Sequence, residues 1–171
     1  TVVNSGIVTY TTNLSVLDDQ IKMIRDDFLK HVSTNTIKLF TYRTRGGRTI
    51  INIDKVKDYF QSKGFVVLSD TQLCELSLYD QATLYNSASE IFSIFDSSLY
   101  NLVYCKPNTR VVVAEPTYKH LEENEDAFEK ICDILNITYI PILMVEPRQT
   151  SRNWRSIEYN IDVKALDEYF K

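Results

Sequence analysis

Thr36-Ile37-Lys38-Leu39-Phe40-Thr41-Tyr42, followed by Arg43-Thr44-Arg45-Gly46-Gly47-Arg48, is the stretch on which the fold turns. Its first seven residues are largely β-branched and aromatic, the composition of a strand. The next six set three arginines around a glycine pair, a turn signal dense in positive charge. Helical spacing follows at 53–62, with Ile53, Val56 and Phe60 on one face and Gly64 as the stop. Phe65–Leu68 is then a brief, wholly apolar run, as expected of a strand covered on both faces. Strand, turn, helix and strand in this order make one crossover unit of a parallel sheet.

The same alternation continues on both sides. Upstream, Leu17, Ile21, Ile24, Phe28 and Val32 form an apolar stripe over a helix at 16–32, with Ser15 as its cap. Downstream, the patterns predict a helix at 77–88, a strand at Glu90–Phe95 and a short helix at Ser97–Tyr104. A strand at Arg110–Ala114, a helix at 124–135 capped by Asn124 and a strand at 138–145 come next. Ile157–Val163 reads as a strand and 163–170 as a closing helix, after a loop-like stretch at 146–156. About four strand–helix alternations specify an α/β layered fold, a Rossmann-like domain whose mostly parallel sheet is flanked by helices. No linker or internal repeat divides residues 1–171, so one domain is expected.

Composition bounds the function. The chain has 171 residues, 44% hydrophobic and 25% charged, enough to bury roughly 70% of its unfolded surface. No apolar run approaches the length of a membrane-spanning helix. The net charge of −4 argues against nucleic acid as a partner. Cys74, Cys105 and Cys132 form no C-x-x-C pair and read as reduced core residues, which with the absence of a leader pattern points to the cytoplasm. His31 and His120 have no metal-spaced companions, so neither a metal nor another cofactor is expected. Residue 1 is Thr, and the chain reads as a piece of something longer.

Ligands of open α/β sheets sit beyond the carboxyl ends of the strands. Three segments fall there. Arg43, Arg45 and Arg48 could grip phosphate oxygens while the glycines let backbone N–H groups approach; a solvated turn paired to surface carboxylates is the plainer alternative. Asp96 reads as a helix N-cap, and Ser97 and Ser98 lie at the helix N-terminal N–H groups that favour an anion. Glu115, beside Pro116, ends a strand where it would face a ligand or simply solvent. Trp154, among Arg148, Arg152 and Arg155, suits cation–π pairing or stacking on a base or sugar.

Taken in order, several of these segments resemble the glycosyltransferase 61 family. The carriers are Tyr42-Arg43-Thr44-Arg45-Gly46-Gly47-Arg48-Thr49-Ile50-Ile51-Asn52, then Gly64-Phe65-Val66-Val67, then the helix from Leu76-Ser77 through Gln81 and Leu84-Tyr85 to Ala88. Phe95-Asp96-Ser97-Ser98-Leu99-Tyr100-Asn101-Leu102-Val103-Tyr104 and Lys106-Pro107-Asn108-Thr109-Arg110-Val111-Val112 follow, and Asp162-Val163 with Leu166 is similar to the family's ending. The family's His-Gly pair is Phe95-Asp96 here, and its strand-end Glu position is Val113.

The resemblance implies the C-terminal, donor-binding half of a GT-B glycosyltransferase that is inverting and metal-independent and acts in polysaccharide or glycan synthesis. It implies a nucleotide-sugar donor held by Arg43, Arg48, Asp96, Ser97, Ser98, Asn101 and Glu115. A glycan acceptor would be bound by a second domain or chain. Two other readings remain open from the residues: an inactive interaction or scaffold domain of the same ancestry, and a different Rossmann-like nucleotide module. The last would show a flavodoxin-like strand order with its phosphate site elsewhere.

Overall fold

The computed structural model describes residues 14–28, 36–115, 127–143, 148–149 and 157–170. Its first element is helix α1 (Leu14–Phe28). A parallel sheet is built from β1 (Ile37–Tyr42), β3 (Phe65–Ser69), β4 (Ala88–Ile94), β5 (Arg110–Glu115) and β6 (Thr138–Leu143), after a short β2 (Thr49–Ile50). Between the strands run α2 (Ile53–Ser62), α3 (Asp70–Glu75), α4 (Leu78–Ser87), a 3-10 helix (Ser97–Tyr104) and α5 (Ala127–Leu135). The sheet order is β3-β1-β4-β5-β6, every neighbouring pair parallel. This is the flavodoxin-like doubly wound order, whose switch point lies between β1 and β4.

Strand alternation sorts the core into two layers. Leu39, Ile91, Val111 and Val113 pack on one face with Leu73, Tyr85, Leu99, Leu102, Phe128 and Leu135 from the helices. Phe40, Phe92, Ile94 and Val112 pack on the other with Val56 and Phe60 of α2 and with Tyr159, Ile161, Leu166 and Phe170. Buried strands on both faces explain why these segments read as continuous apolar runs rather than alternating ones. Among the described residues no helix is long and apolar enough to cross a membrane.

Several boundaries differ from expectation. The run 70–75 forms α3, started by a capping box in which Ser69 and Gln72 satisfy each other's backbone N–H groups. Ile157–Val163 supplies only β8 (Ile157–Tyr159), and 163–170 makes a 3-10 turn (Ala165–Glu168) in place of a full helix. β8 joins a second, three-stranded sheet, parallel to β2 and antiparallel to β7 (Arg148–Gln149). Cys105 and Cys132 are buried, but Cys74 is exposed, because α3 turns only Leu73 inward. His31, Val32, Pro116, His120, Asn124 and Trp154 lie outside the described residues.

Just beyond β8 a side chain takes over the pairing of the backbone. Asn52 precedes α2 at the N-cap position, yet its amide caps nothing. Instead its Nδ2 donates to the Ile161 carbonyl at 2.7 Å and its Oδ1 accepts the Ile161 N–H at 3.0 Å. The amide thus mimics a strand neighbour for a residue that no ladder reaches. Asn52→Ala is expected to lower stability by about 2–4 kcal/mol, because both buried backbone groups of Ile161 lose their partner. Urea denaturation checks this, and Asn52→Asp should fail to rescue it, since a carboxylate cannot donate to the carbonyl.

Candidate functional site

Because the sheet is parallel, the loops after β1, β3 and β4 meet at one edge, over the switch point. The loop after β1 is 43–48. Its conformation is demanding: Gly46 has φ +79° and Arg48, a non-glycine residue, φ +73°. A left-handed arginine costs about 1–2 kcal/mol, and such strain persists where the surroundings hold it in place. Arg48 is held by its side chain, whose Nη1 donates to the Phe95 carbonyl at 2.9 Å while the guanidinium lies 5.6 Å from the Phe95 ring centroid. The arginine loop is thereby tied to the end of β4.

Asp70, at the start of α3, ties the same loop on its other side. One carboxylate oxygen, Oδ1, accepts from the Thr44 N–H at 2.9 Å, the Thr44 hydroxyl at 2.6 Å and the Thr71 N–H at 2.9 Å. Arg45 donates to the Thr71 hydroxyl at 3.1 Å. Burial alone would lift the Asp70 carboxyl, but the Thr44 and Thr71 hydrogen bonds and the nearby Arg43 charge outweigh it and hold it below its ordinary value. Asp70 is a positioning residue that reading the sequence missed; the Ser69-x-x-Gln72 capping signature was its available signal.

Arg43 leans back over the turn. A Cβ placed on Gly46 would lie 3.2 Å from Arg43 Nη2, so a side chain there would press this guanidinium aside by a few tenths of an ångström. Its charge favours the ionised forms of both Asp70 and Asp96. Arg43 makes no hydrogen bond or ion pair among the described residues.

Asp96 caps the 3-10 helix, as its sequence position predicts. It is 5% exposed, and its Oδ1 accepts from the Ser98 N–H at 2.7 Å and the Ser98 hydroxyl at 2.5 Å. Burial raises its carboxyl above the ordinary carboxylate value, opposed by Ser98 and by the charges of Arg43 and Arg48. A carboxyl raised on folding favours the folded state below its unfolded value, and that contribution is lost as pH climbs through the raised one. Asp96→Asn, which can still cap, is therefore expected to leave the melting temperature unchanged or higher at pH 7 and to lose the advantage at pH 4. Differential scanning calorimetry at the two pH values reads both.

A buried polar seam runs behind the cap, on the α4 side of the sheet. Thr41 donates to Ser93 at 3.0 Å, and Ser93 lies 3.5 Å from the Ser98 hydroxyl. Asn101 reaches Gln81 at 3.5 Å, and Gln81 in turn donates to the Leu76 carbonyl. Tyr85 is fully buried on the same side, and burial pushes its hydroxyl well above the ordinary tyrosine value.

Of the residues singled out from sequence, Arg43, Arg48, Asp96, Ser98 and Asn101 are thus gathered about the β1–β4 switch point. Ser97 is exposed at the first position of the 3-10 helix. Glu115 stands one strand further along, fully buried, with the Tyr139 hydroxyl donating to its Oε1.

The glycosyltransferase 61 family model matches residues 3–112. The match spans the arginine loop, α3, the seam and the capped 3-10 helix, and stops before Glu115. No curated protein sequence matches the chain. With more than half of its residues accounted for by that one family model, and with the family's strand–arginine turn–helix order at the switch point, the chain belongs to the glycosyltransferase 61 family.

Proposed function

We propose that the chain is the nucleotide-sugar-binding domain of an inverting, metal-independent glycosyltransferase of polysaccharide or glycan synthesis, the donor half of a GT-B arrangement. The observation that carries this reading is the Arg43 guanidinium at the switch point, making no hydrogen bond among the described residues and set over Gly46 in the loop after β1. Arg43 and Arg48 supply positive charge where a diphosphate would lie.

In an inverting transfer the acceptor hydroxyl attacks the anomeric carbon as the bond to the diphosphate breaks. Negative charge then grows on the leaving oxygen, and fixed cations and N–H groups aimed at it lower the barrier. Here the two guanidinium groups take that part. The acceptor, and the base that receives its proton, belong to a second domain or chain. Gln81 and Asn101, both half-buried, lie beside the cradle and fit hydrogen bonding to sugar or nucleotide hydroxyls.

The flavodoxin-like strand order also suits other nucleotide-binding modules. Family membership favours the glycosyltransferase reading over these. A thermal-shift panel of UDP- and GDP-linked sugars tests it. A true donor at a hundredfold excess over its Kd should stabilise the fold by about 2.7 kcal/mol, a shift of several degrees. If no nucleotide or nucleotide sugar moves the melting temperature at millimolar concentration, the reading fails.

A further inference from the structure

The exposed aromatic side chains stand where a ligand would arrive. Among the described residues they are Tyr79 and Tyr100, 45% and 55% exposed. In a parallel sheet the helix leading into a strand starts at the carboxyl edge, the edge at which ligands bind. Tyr79 lies in the first turn of α4, which leads into β4. Tyr100 lies on the 3-10 helix and packs against Phe128, near the start of α5, which leads into β6. A scattered apolar residue on a surface needs no reason, but an open ring at the ligand edge has one available.

Tyr100 is also fixed in place. Its ring meets Phe128 at 4.9 Å between centroids and 66°, and Phe128 meets Phe95 at 5.4 Å and 75°. Phe95 in turn carries the Arg48 guanidinium 5.6 Å from its centroid. A row of three rings therefore runs outward from the arginine loop, and Tyr100 is its open end. Contacts of this edge-to-face kind set a ring's orientation, so a ligand at Tyr100 meets a surface already arranged. Ser97 supplies a polar neighbour. With three residues per turn, a 3-10 helix stacks Ser97 and Tyr100 on one face. Ser97 is exposed, and its hydroxyl makes no hydrogen bond among the described residues, since the capping carboxylate of Asp96 is engaged with Ser98.

An aromatic face beside a free hydroxyl, with no charged residue in the turn between them, suits a neutral sugar. The C–H face of a pyranose is slightly positive and packs on the negative face of an aromatic ring, while its hydroxyls reach sideways to polar neighbours. We propose that Tyr100 and Ser97 form a stacking subsite for a pyranose ring of the acceptor glycan, contributed by the donor half. The inference rests on the donor-site reading above. Phe95 and Phe128 stand between Arg48 and Tyr100, so the subsite flanks the diphosphate position rather than covering it. The main acceptor site stays with the second domain or chain, and Tyr100 adds one ring contact to it.

The test titrates isotopically labelled protein separately with mannotriose, xylotriose, N-acetylchitotriose, UDP and UDP-N-acetylglucosamine, following the Tyr100 ring resonances. At least one trisaccharide is expected to move them. Its affinity should fall about tenfold or more in Tyr100→Ala and stay within about threefold in Tyr100→Phe, which keeps the ring. Melting curves show that both variants fold. The inference is overturned if no trisaccharide moves the Tyr100 ring, or if Tyr100→Ala binds the trisaccharide as tightly as the wild type. It is also overturned if UDP or UDP-N-acetylglucosamine moves the ring and no trisaccharide does, which gives the ring to the donor's base or sugar. Movement of Arg43 and Arg48 Nε with UDP in any of these cases leaves the donor site standing. Trisaccharide shifts at Tyr100 without any UDP binding do the reverse, keeping the saccharide subsite and overturning the donor reading.

Discussion

Phe60→Ala is expected to remove about 3–5 kcal/mol of folding stability, much of what a domain of this kind has in total. Phe60 is fully buried, and besides its chain neighbour Tyr59 it packs against rings from elsewhere in the fold: Phe92 at 4.6 Å between centroids, Phe40 and Phe65 at 4.8 Å, and Phe170 at 5.1 Å. These rings come from β1, β3, β4 and the C-terminal end, so α2 carries the contact that joins the sheet to the chain's last residues. Truncation leaves a ring-sized cavity that tilted and edge-on neighbours cannot close without moving strands. The C-terminal end should loosen with it, because Phe170 loses one of its ring contacts and keeps those to Phe65 and Phe92. The polar ties there include the Lys63 Nζ bond to the Phe170 carbonyl at 2.7 Å and the Lys63–Asp167 ion pair, an exposed contact of little worth. Urea denaturation measures the loss, and Phe60→Leu, which keeps most of the buried volume, should lose distinctly less.

Arg43→Ala carries the largest expected effect on binding. A charged hydrogen bond to phosphate contributes about 1.5–3 kcal/mol, so the variant should bind a nucleotide-sugar donor about tenfold to a hundredfold more weakly. Its stability should barely change, since Arg43 makes no hydrogen bond among the described residues. That separation of binding from folding distinguishes Arg43 from Arg48, whose bond to Phe95 makes its removal felt in both. Isothermal titration and a melting curve on one preparation read the two effects together. Loss of affinity with an unchanged melting temperature is the expected pair.

What could be read from sequence followed the range of the interactions. β1, α2 and β3 were legible because each carries its own signal: β-branched and aromatic residues at 36–42, an apolar face at Ile53, Val56 and Phe60, and a glycine at 64 whose φ of +78° ends the helix. The arginine turn was legible as positive charge at a strand end. Its anchoring was not, since Asp70 is separated from Thr44 by a helix and a strand and acts only once β1 and β3 lie side by side. The second sheet escaped for the same reason. β2 is two residues long and pairs with β8, more than a hundred residues away, and Asn52 reads as an ordinary cap until Ile161 is brought beside it. Asp96 was legible as a cap because its partner, Ser98, lies within the same turn.

The central claim is that the β1–β4 switch point binds the donor's diphosphate through Arg43 and Arg48. Titrating isotopically labelled protein with UDP and following its amide and arginine side-chain nitrogen resonances tests this most directly. The account predicts that the largest movements fall on Arg43 and Arg48 Nε and on the amides of Gly46, Gly47, Ser97 and Ser98. UDP binding whose shifts cluster away from these residues, with Arg43 and Arg48 unmoved, would contradict it.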